Sequence, residues 1–262
     1  MVEFPTKAKY DVEDLRRIVT ILRAPGGCPW DGEQTHESLR RDTLEECYEV
    51  IEAINEGNLD HLKEELGDLL LQVVFHADIE REAGHFDLDD VADDNVKKLI
   101  YRHPHVFGEV KVADSAQVLV NWEQLKRKEK SQDTYTDTLN AVARSLPALW
   151  RAEKVQKKAK KAGMDWDRTQ GALDKLSEEL GELKEAVAQG TNVEEELGDL
   201  LFAAVSVSRF TGCDPESALN AATEKFITRF ARVEELARAQ GRDMAQMDPE
   251  ELDRLWNQVK HT

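Results

Sequence analysis

Two glutamate-rich segments stand in close succession in this 262-residue chain, and the arrangement occurs twice. In the second half Glu178-Glu179-x-x-Glu182 is followed by Glu195-Glu196-x-x-Asp199; in the first, Glu45-Glu46-x-x-Glu49 is followed by Glu64-Glu65-x-x-Asp68. Residues three apart share one face of a helix. Glu179 with Glu182, and Glu196 with Asp199, therefore each present two carboxylates side by side, as do Glu46 with Glu49 and Glu65 with Asp68. Four facing carboxylates repel one another and raise their own pKa values unless a cation sits among them. Hard divalent ions favour such all-oxygen ligation, and Mg²⁺ usually keeps waters and takes the rest of its shell from substrate phosphates. One EExxE segment alone is usually a solvated helix face. Two on successive helices, duplicated in the other half, point to a site, and Asp68 and Asp199, each followed by two leucines, stand at the core boundary.

Cations recur in register with the acids. Lys225 and Arg229 are four apart, as are Lys98 and Arg102. In so acidic a chain a repeated Lys/Arg pair suggests phosphate contacts, with Arg as a fork and Lys as a point charge, although a single copy reads better as an ordinary surface pair bonded to nearby glutamates. Trp256 with Lys260, and Trp122 with Lys126, repeat the same spacing. Tryptophan there can cover a nucleobase while lysine meets a phosphate, or it can simply pin a terminal helix to the core.

Other chemistries find less support. A di-iron carboxylate bundle needs paired ExxH motifs. The ExxH spacings here, Glu33 to His36 and Glu82 to His85, sit beside glycines and lack partners in the second half. Neither a GxxxxGK[ST] loop nor a GxGxxG turn occurs, so no glycine-rich phosphate loop is expected. His103 and His105 flank a proline without a second ligand cluster, and the basic run Arg151 to Lys161 reads as a solvated helix face. Three cysteines without a CxxC pair give no disulfide framework or zinc site and fit a reducing cytosol. A net charge of −18 argues against broad nucleic-acid or anionic-membrane binding. The first residues lack the pattern of a signal peptide, and the longest apolar runs are too short to span a bilayer, so a cytoplasmic protein is expected.

The elements that must position these groups form a duplication. PWD at Pro29 to Asp31 answers to DWD at Asp165 to Asp167, and KLIYR from Lys98 to KFITR from Lys225. WEQLK from Trp122 answers to WNQVK from Trp256, and EELGDLL is identical at Glu64 to Leu70 and Glu195 to Leu201. The repeat divides the chain into units at 1–127 and 146–262 with a polar linker at 128–145. Each unit reads as four main helices, in the second near 147–161, 170–189, 193–210 and 215–240. Leu173, Leu176, Leu180, Leu183 and Val187 form the stripe of a half-buried helix, and Leu197, Leu200, Leu201, Ala204 and Val205 do the same on the next. Asn192 is placed to cap the third helix and Asp214 the fourth, with Pro215 in its first turn. The fold expected is all-α, two duplicated units of four-helix-bundle type. Gly67 and Gly198 inside the shared heptad cost roughly 1 kcal/mol each relative to alanine, and they leave room for a ligand or for a neighbouring helix.

GCPWDGEQTHESLRRDTLEECYEVIEAI, HLKEELGDLLLQVVFHA, RHPHVFGE, LPALWRAEKVQKKA and the second EExxE…EExxD together resemble the tandem-domain MazG family of nucleoside triphosphate pyrophosphohydrolases, over nearly the whole chain. The resemblance implies an all-α pyrophosphatase fold and a homodimer with active sites near subunit interfaces. It implies Mg²⁺-dependent conversion of an NTP or dNTP to the monophosphate and pyrophosphate, with Mn²⁺ as the alternative ion, broad base preference, and a role in removing unwanted nucleotides or lowering stringent-response nucleotides. Carried over, the metal ligands are Glu179, Glu182, Glu196 and Asp199, with Glu46, Glu49, Glu65 and Asp68 as counterparts. Lys225, Arg229, Trp256 and Lys260 match nucleotide-contacting positions; Lys98, Arg102, Trp122 and Lys126 are their first-half equivalents. A flanking glutamate, Glu178 or Glu195, is expected either to accept a proton from water or to hold a further ion. The competing expectation is a nucleotide-binding sensor or scaffold without turnover.

Overall fold

The computed structural model describes residues 4–260; the outermost residues of the two expected units, 1–3 and 261–262, lie outside the described residues. Contacts divide the chain into two compact units, one up to Lys126 and one from Arg127 onward. Helices and turns make up both, and no strand occurs among the described residues.

The first unit contains α1 (Val12–Arg23), α2 (Pro29–Glu33), α3 (His36–Glu56), α4 (Leu59–Ala83), α5 (Leu88–Arg102), α6 (Pro104–Phe107) and most of α7 (Ser115–Glu129). α3 and α4 pack along one another and turn at Gly57, whose φ of 67° is the left-handed helix stop that glycine adopts without strain. The Asn58 side chain then accepts from the backbone N–H groups of Asp60 and His61 at 3.1 and 3.3 Å, starting α4. α1 lies across α4, and Val19, Leu39, Val74 and Phe75 bury the core between α1, α3 and α4.

The second unit holds α8 (Tyr135–Asn140), α9 (Ala148–Lys161), α10 (Thr169–Gln189), α11 (Val193–Thr211), α12 (Pro215–Ala239), a 3₁₀ turn (Met244–Gln246) and α13 (Pro249–Lys260). The four main helices lie within a residue or so of the boundaries that periodicity and breakers predict. Asp214 caps α12 as expected, accepting from the Ser217 N–H at 2.7 Å, with Pro215 in the first turn. A cluster of Val233, Ala237, Met247 and Leu255 ties α13 back onto α12.

Four local expectations need correction. Asn192 sits at the start of α11 but in a left-handed conformation (φ 55°), and its side chain makes no capping bond. The turn Gly190-Thr191-Asn192 is a residue longer than Gly57-Asn58, and the asparagine serves to turn the chain rather than to cap it. The leucine stripe on α10 is only partly covered: Leu176 and Leu183 are half-buried, while Leu173, Leu180 and Val187 are exposed. Buried along α10 instead are Ala172, Glu179 and Ala186, a seam of small residues with a carboxylate at its middle. On α11, Leu197, Leu201 and Ala204 are likewise exposed, while Ala203 and Val205 are buried. Finally, a Cβ built at Gly67 or Gly198 would meet nothing within 4 Å, so close packing of a neighbouring helix within the unit is not what these glycines provide. The segment 128–145 also carries more order than its polarity suggests: it includes α8, and Thr138 and Val142 are buried.

Candidate functional site

Because α3 and α4 are joined by a tight turn, their facing edges bring the first unit's acids together. Glu46, Glu49 and Glu65 each offer an oxygen within 4.8 Å of the others. Glu65 is 8% exposed, and burial followed by the Glu49 charge raises its pKa. Burial also raises that of Glu46, helped by Asp68 and Glu49. Asp68 stands outside the closest group but bears on it through its charge. His61, one turn before Glu65, bonds to Glu56 at 2.8 Å and reaches Glu65 at 3.1 Å. Its pKa is raised, first by the Glu56 bond.

In the second unit α10 and α11 repeat the arrangement. Glu179, Glu196 and Asp199 place their oxygens within 4.8 Å of one another. Glu179 is 6% exposed. Glu196 lies in the first turn of α11, where unsatisfied N–H groups favour negative charge. Glu182 is outside the closest three, yet it bonds to Glu179, and this bond, with burial and the Glu179 charge, raises its pKa. Glu178 and Glu195 are exposed beside the cluster.

The donor chemistry fits a divalent cation. Carboxylates from two helices converge at ligand spacing, and burial together with neighbouring carboxylates raises the pKa of Glu46, Glu65 and Glu182, a repulsion that a positive charge relieves. Lys175 partly supplies that charge: its ammonium lies 2.7 Å from Glu178 and 2.8 Å from Glu179, and the two bonds raise its pKa. Neither Lys175 nor His61 was singled out from sequence. The signal was available in both, since Lys175 precedes Glu179 by four residues and His61 precedes Glu65 by four, the spacing of helical ion pairs.

The cationic and aromatic residues fall into different settings. In the first unit Arg102 is buried with its guanidinium 5.3 Å from the Trp122 ring centre, and the Lys126 ammonium lies 4.7 Å from the same ring. Lys98 is half-buried on α5. In the second unit Lys225 is exposed and Arg229 half-buried on α12, and Lys260 is exposed at the end of α13. Trp256 packs against the buried cluster of α12 and α13, with its ring 5.2 Å from that of Phe226. The tryptophan thus pins a terminal helix in one unit and sits between two cations in the other.

Glu179, Asp199 and Lys175 also line a cavity of about 570 Å³ within the second unit. Its polar wall is an ion pair that sequence reading missed: Arg209 holds both oxygens of Asp165, at 2.9 and 2.5 Å, and keeps the Asp165 pKa down at about 2. The two residues are far apart along the chain, and no periodicity links them.

Comparison with known proteins identifies the family. A family model described as the MazG nucleotide pyrophosphohydrolase domain matches residues 34–107 and, a second time, residues 168–234. The two matches take in all the carboxylates of both clusters and the Lys/Arg pairs of α5 and α12. A Thermotoga maritima protein named nucleoside triphosphate pyrophosphohydrolase/pyrophosphatase MazG is 47% identical over 248 residues, 95% of each chain. An Escherichia coli protein named nucleoside triphosphate pyrophosphohydrolase is 44% identical over 254 residues, 95% of this chain and 97% of its own. With the domain matched twice, each time across a pair of helices bearing facing carboxylates, this chain belongs to the MazG family.

Proposed function

We propose that this protein is a Mg²⁺-dependent nucleoside triphosphate pyrophosphohydrolase that cleaves NTPs or dNTPs between the α- and β-phosphates, releasing the monophosphate and pyrophosphate. The observation that supports the reading is the convergence of Glu179, Glu196 and Asp199, the first and last of which line the cavity, in a chain whose relatives over 95% of its length are named nucleoside triphosphate pyrophosphohydrolases. Glu179, Glu196 and Asp199, with Glu182 beside them, would hold the ion, and Glu46, Glu49, Glu65 and Asp68 are the corresponding set of the first unit. A divalent ion there, Mg²⁺ or Mn²⁺, supplies neutralisation of phosphate charge and orientation of a water.

The chain's own groups do the rest. Glu178 or Glu195, exposed at the edge of the cluster, takes the proton from the water that attacks the α-phosphorus. Lys225 and Arg229, and in the first unit Lys98 and Arg102, meet the charge on the leaving pyrophosphate. Trp256 with Lys260, and Trp122 with Lys126, complete the nucleotide contacts. The active form is a homodimer and works in the cytoplasm on free nucleotides, clearing unwanted ones.

The test is product identity. An NTP panel is incubated with Mg²⁺ and the products are resolved: monophosphate plus pyrophosphate supports the reading, and diphosphate plus phosphate contradicts it. Thermal stabilisation by nucleotide without any turnover would favour a sensor instead. Glu179→Gln and Asp199→Asn should each lower turnover by about 10²-fold or more, the scale of removing one preorganised charged group, while circular dichroism stays unchanged. Full activity in both variants would remove the site assignment.

A further inference from the structure

The first unit carries a histidine cluster that the carboxylate chemistry leaves unused. His36, the first residue of α3, places its Nδ1 2.7 Å from Nδ1 of His76 on α4 and its Nε2 2.5 Å from the Glu80 carboxylate. The other oxygen of Glu80 lies 2.6 Å from Nδ1 of His85, just beyond the end of α4. Nε2 of His76 lies 3.1 Å from the Thr43 hydroxyl, which is also 2.9 Å from the Leu39 carbonyl. The planes of His36 and His76 are 20° apart and their ring centres 5.0 Å apart, although the facing nitrogens are at 2.7 Å. The rings therefore meet edge to edge, the geometry of an N–H···N bond and not of stacking.

Counting protons shows which states keep this chain closed. The Glu80 carboxylate only accepts, so Nε2 of His36 carries a hydrogen. With one excess proton on the pair, Nδ1–H of His36 donates to His76, Nε2–H of His76 donates to Thr43, and Thr43 donates to Leu39. Without it the chain runs the other way: Thr43 donates to Nε2 of His76, and Nδ1–H of His76 donates to His36. A second excess proton fits neither order, because both Nδ1 atoms then carry hydrogens and two cations face each other at 2.7 Å. Burial and the His36 charge accordingly lower the His76 pKa from its ordinary 6.5. The bonds from His36 and His85 lower that of Glu80, so the acceptor stays ionised. α4 packs against α1, α3 and α5. Arg23 of α1 is taken up by Asp78 and Glu82, Glu37 and Arg40 of α3 pair with each other, and Asp89 of α5 pairs with Arg16 of α1. Among the described residues it is the charge of His36 that acts on His76.

The second unit lacks this cluster. Aligning the repeated acids places Thr169, Leu176, Val207 and Thr211 where the first unit has His36, Thr43, His76 and Glu80. The shared fold therefore forms without it. We infer that His36, His76 and Glu80 form a pH-sensitive latch that fastens the start of α3 to α4 in the first unit, closed with one excess proton or none and released when the pair takes a second. Histidine is the side chain that titrates in this range. Because the folded pKa of His76 lies below the unfolded one, the stability that the latch contributes is present above about pH 6.5 and lost as pH falls through the folded value. Release loosens the beginning of the helix that bears Glu46 and Glu49 and leaves the second unit as it is. Mild acid thus acts on one half of the duplication.

Hydrogen exchange of the full-length protein tests this, read by mass spectrometry at about pH 7.5 and about pH 5 and corrected for the intrinsic rate. Protection of the first bonded turns of α3, residues 39–45, should fall about tenfold or more between the two, the effect of one titrating group over a pH unit or more. The matching turns of α10, residues 172–178, should keep theirs. Glu46 and Glu65 also have raised pKa values and titrate toward the same window. His76→Gln separates the causes, since it keeps those carboxylates and removes the titrating ring, and it should show equal protection of α3 at both pH values. Unchanged protection in the wild type, a loss that α10 matches, or a pH dependence that survives in His76→Gln overturns the latch. Should His76→Gln fail to fold by circular dichroism, His36→Gln decides in its place, because it removes the opposing charge: a flat profile supports the latch, and an undiminished loss overturns it.

Discussion

Single residues in this protein owe their roles to charge placed where water is scarce. The carboxylate pairs were legible because spacing of three on a helix is a geometric statement that needs no tertiary information. Their local cations were legible in principle for the same reason, at spacing of four. Asp165 and Arg209 were not, because only the packed unit brings a loop residue to the face of α11. That pair carries a prediction. Arg209 depresses the Asp165 pKa from 3.8 to about 2. A carboxylate with a lowered folded pKa contributes stability that is present above its unfolded value and lost as pH falls through the folded one. Acid titration of the second unit should therefore show a loss between about pH 4 and about pH 2. Arg209→Ala should already lack that stability at neutral pH and show a flatter profile through the same window, followed by circular dichroism. Superimposable profiles for the two proteins would show that the pair contributes nothing.

Elements are fixed by their ends as much as by their faces. Gly57 and Gly190 close α3 and α10 in the same left-handed geometry, with φ of 67° and 68°. The next helices nevertheless begin differently, Asn58 as a bonded cap and Asn192 as an unbonded turn residue with φ of 55°. The letters GN and GTN do not reveal this, because one added residue changes which conformation the asparagine must adopt. Opposite responses are expected in urea unfolding. Asn58→Ala should destabilise by about 0.5–2 kcal/mol through the lost cap. Asn192→Gly should stabilise by up to about 1 kcal/mol, since glycine takes the left-handed conformation freely and no bond is given up. Destabilisation by Asn192→Gly would contradict the description of that turn.

At the scale of the molecule, duplication and all-α class were readable from repeated landmarks, whereas the fate of the apolar stripes was not. Periodicity tells which side of a helix is greasy but not what covers it. Leu173, Leu180 and Val187 on α10, with Leu197 and Leu201 on α11, are 39–61% exposed in the single chain. Apolar side chains exposed to this extent mark a candidate association site, and they support the homodimer proposed above. Sedimentation should give a mass near twice 29.8 kDa, and Leu180→Lys should shift it toward the monomer without loss of helix. A wild-type protein that sediments as a monomer at micromolar concentration would remove that assembly.

Gly67 and Gly198 look different in this light. Each stands inside a strong helix beside an aspartate of the carboxylate set, where an added Cβ would meet nothing within 4 Å. Mid-helix glycine weakens the backbone locally, and sparse contact lowers the cost of local opening. Amide exchange is therefore expected to be faster at the rung that carries the acid than at the buried turns around Val74 on α4 and Val205 on α11. Softness of that kind would let the carboxylates adjust to a bound ligand while the buried turns of the bundle stay in place.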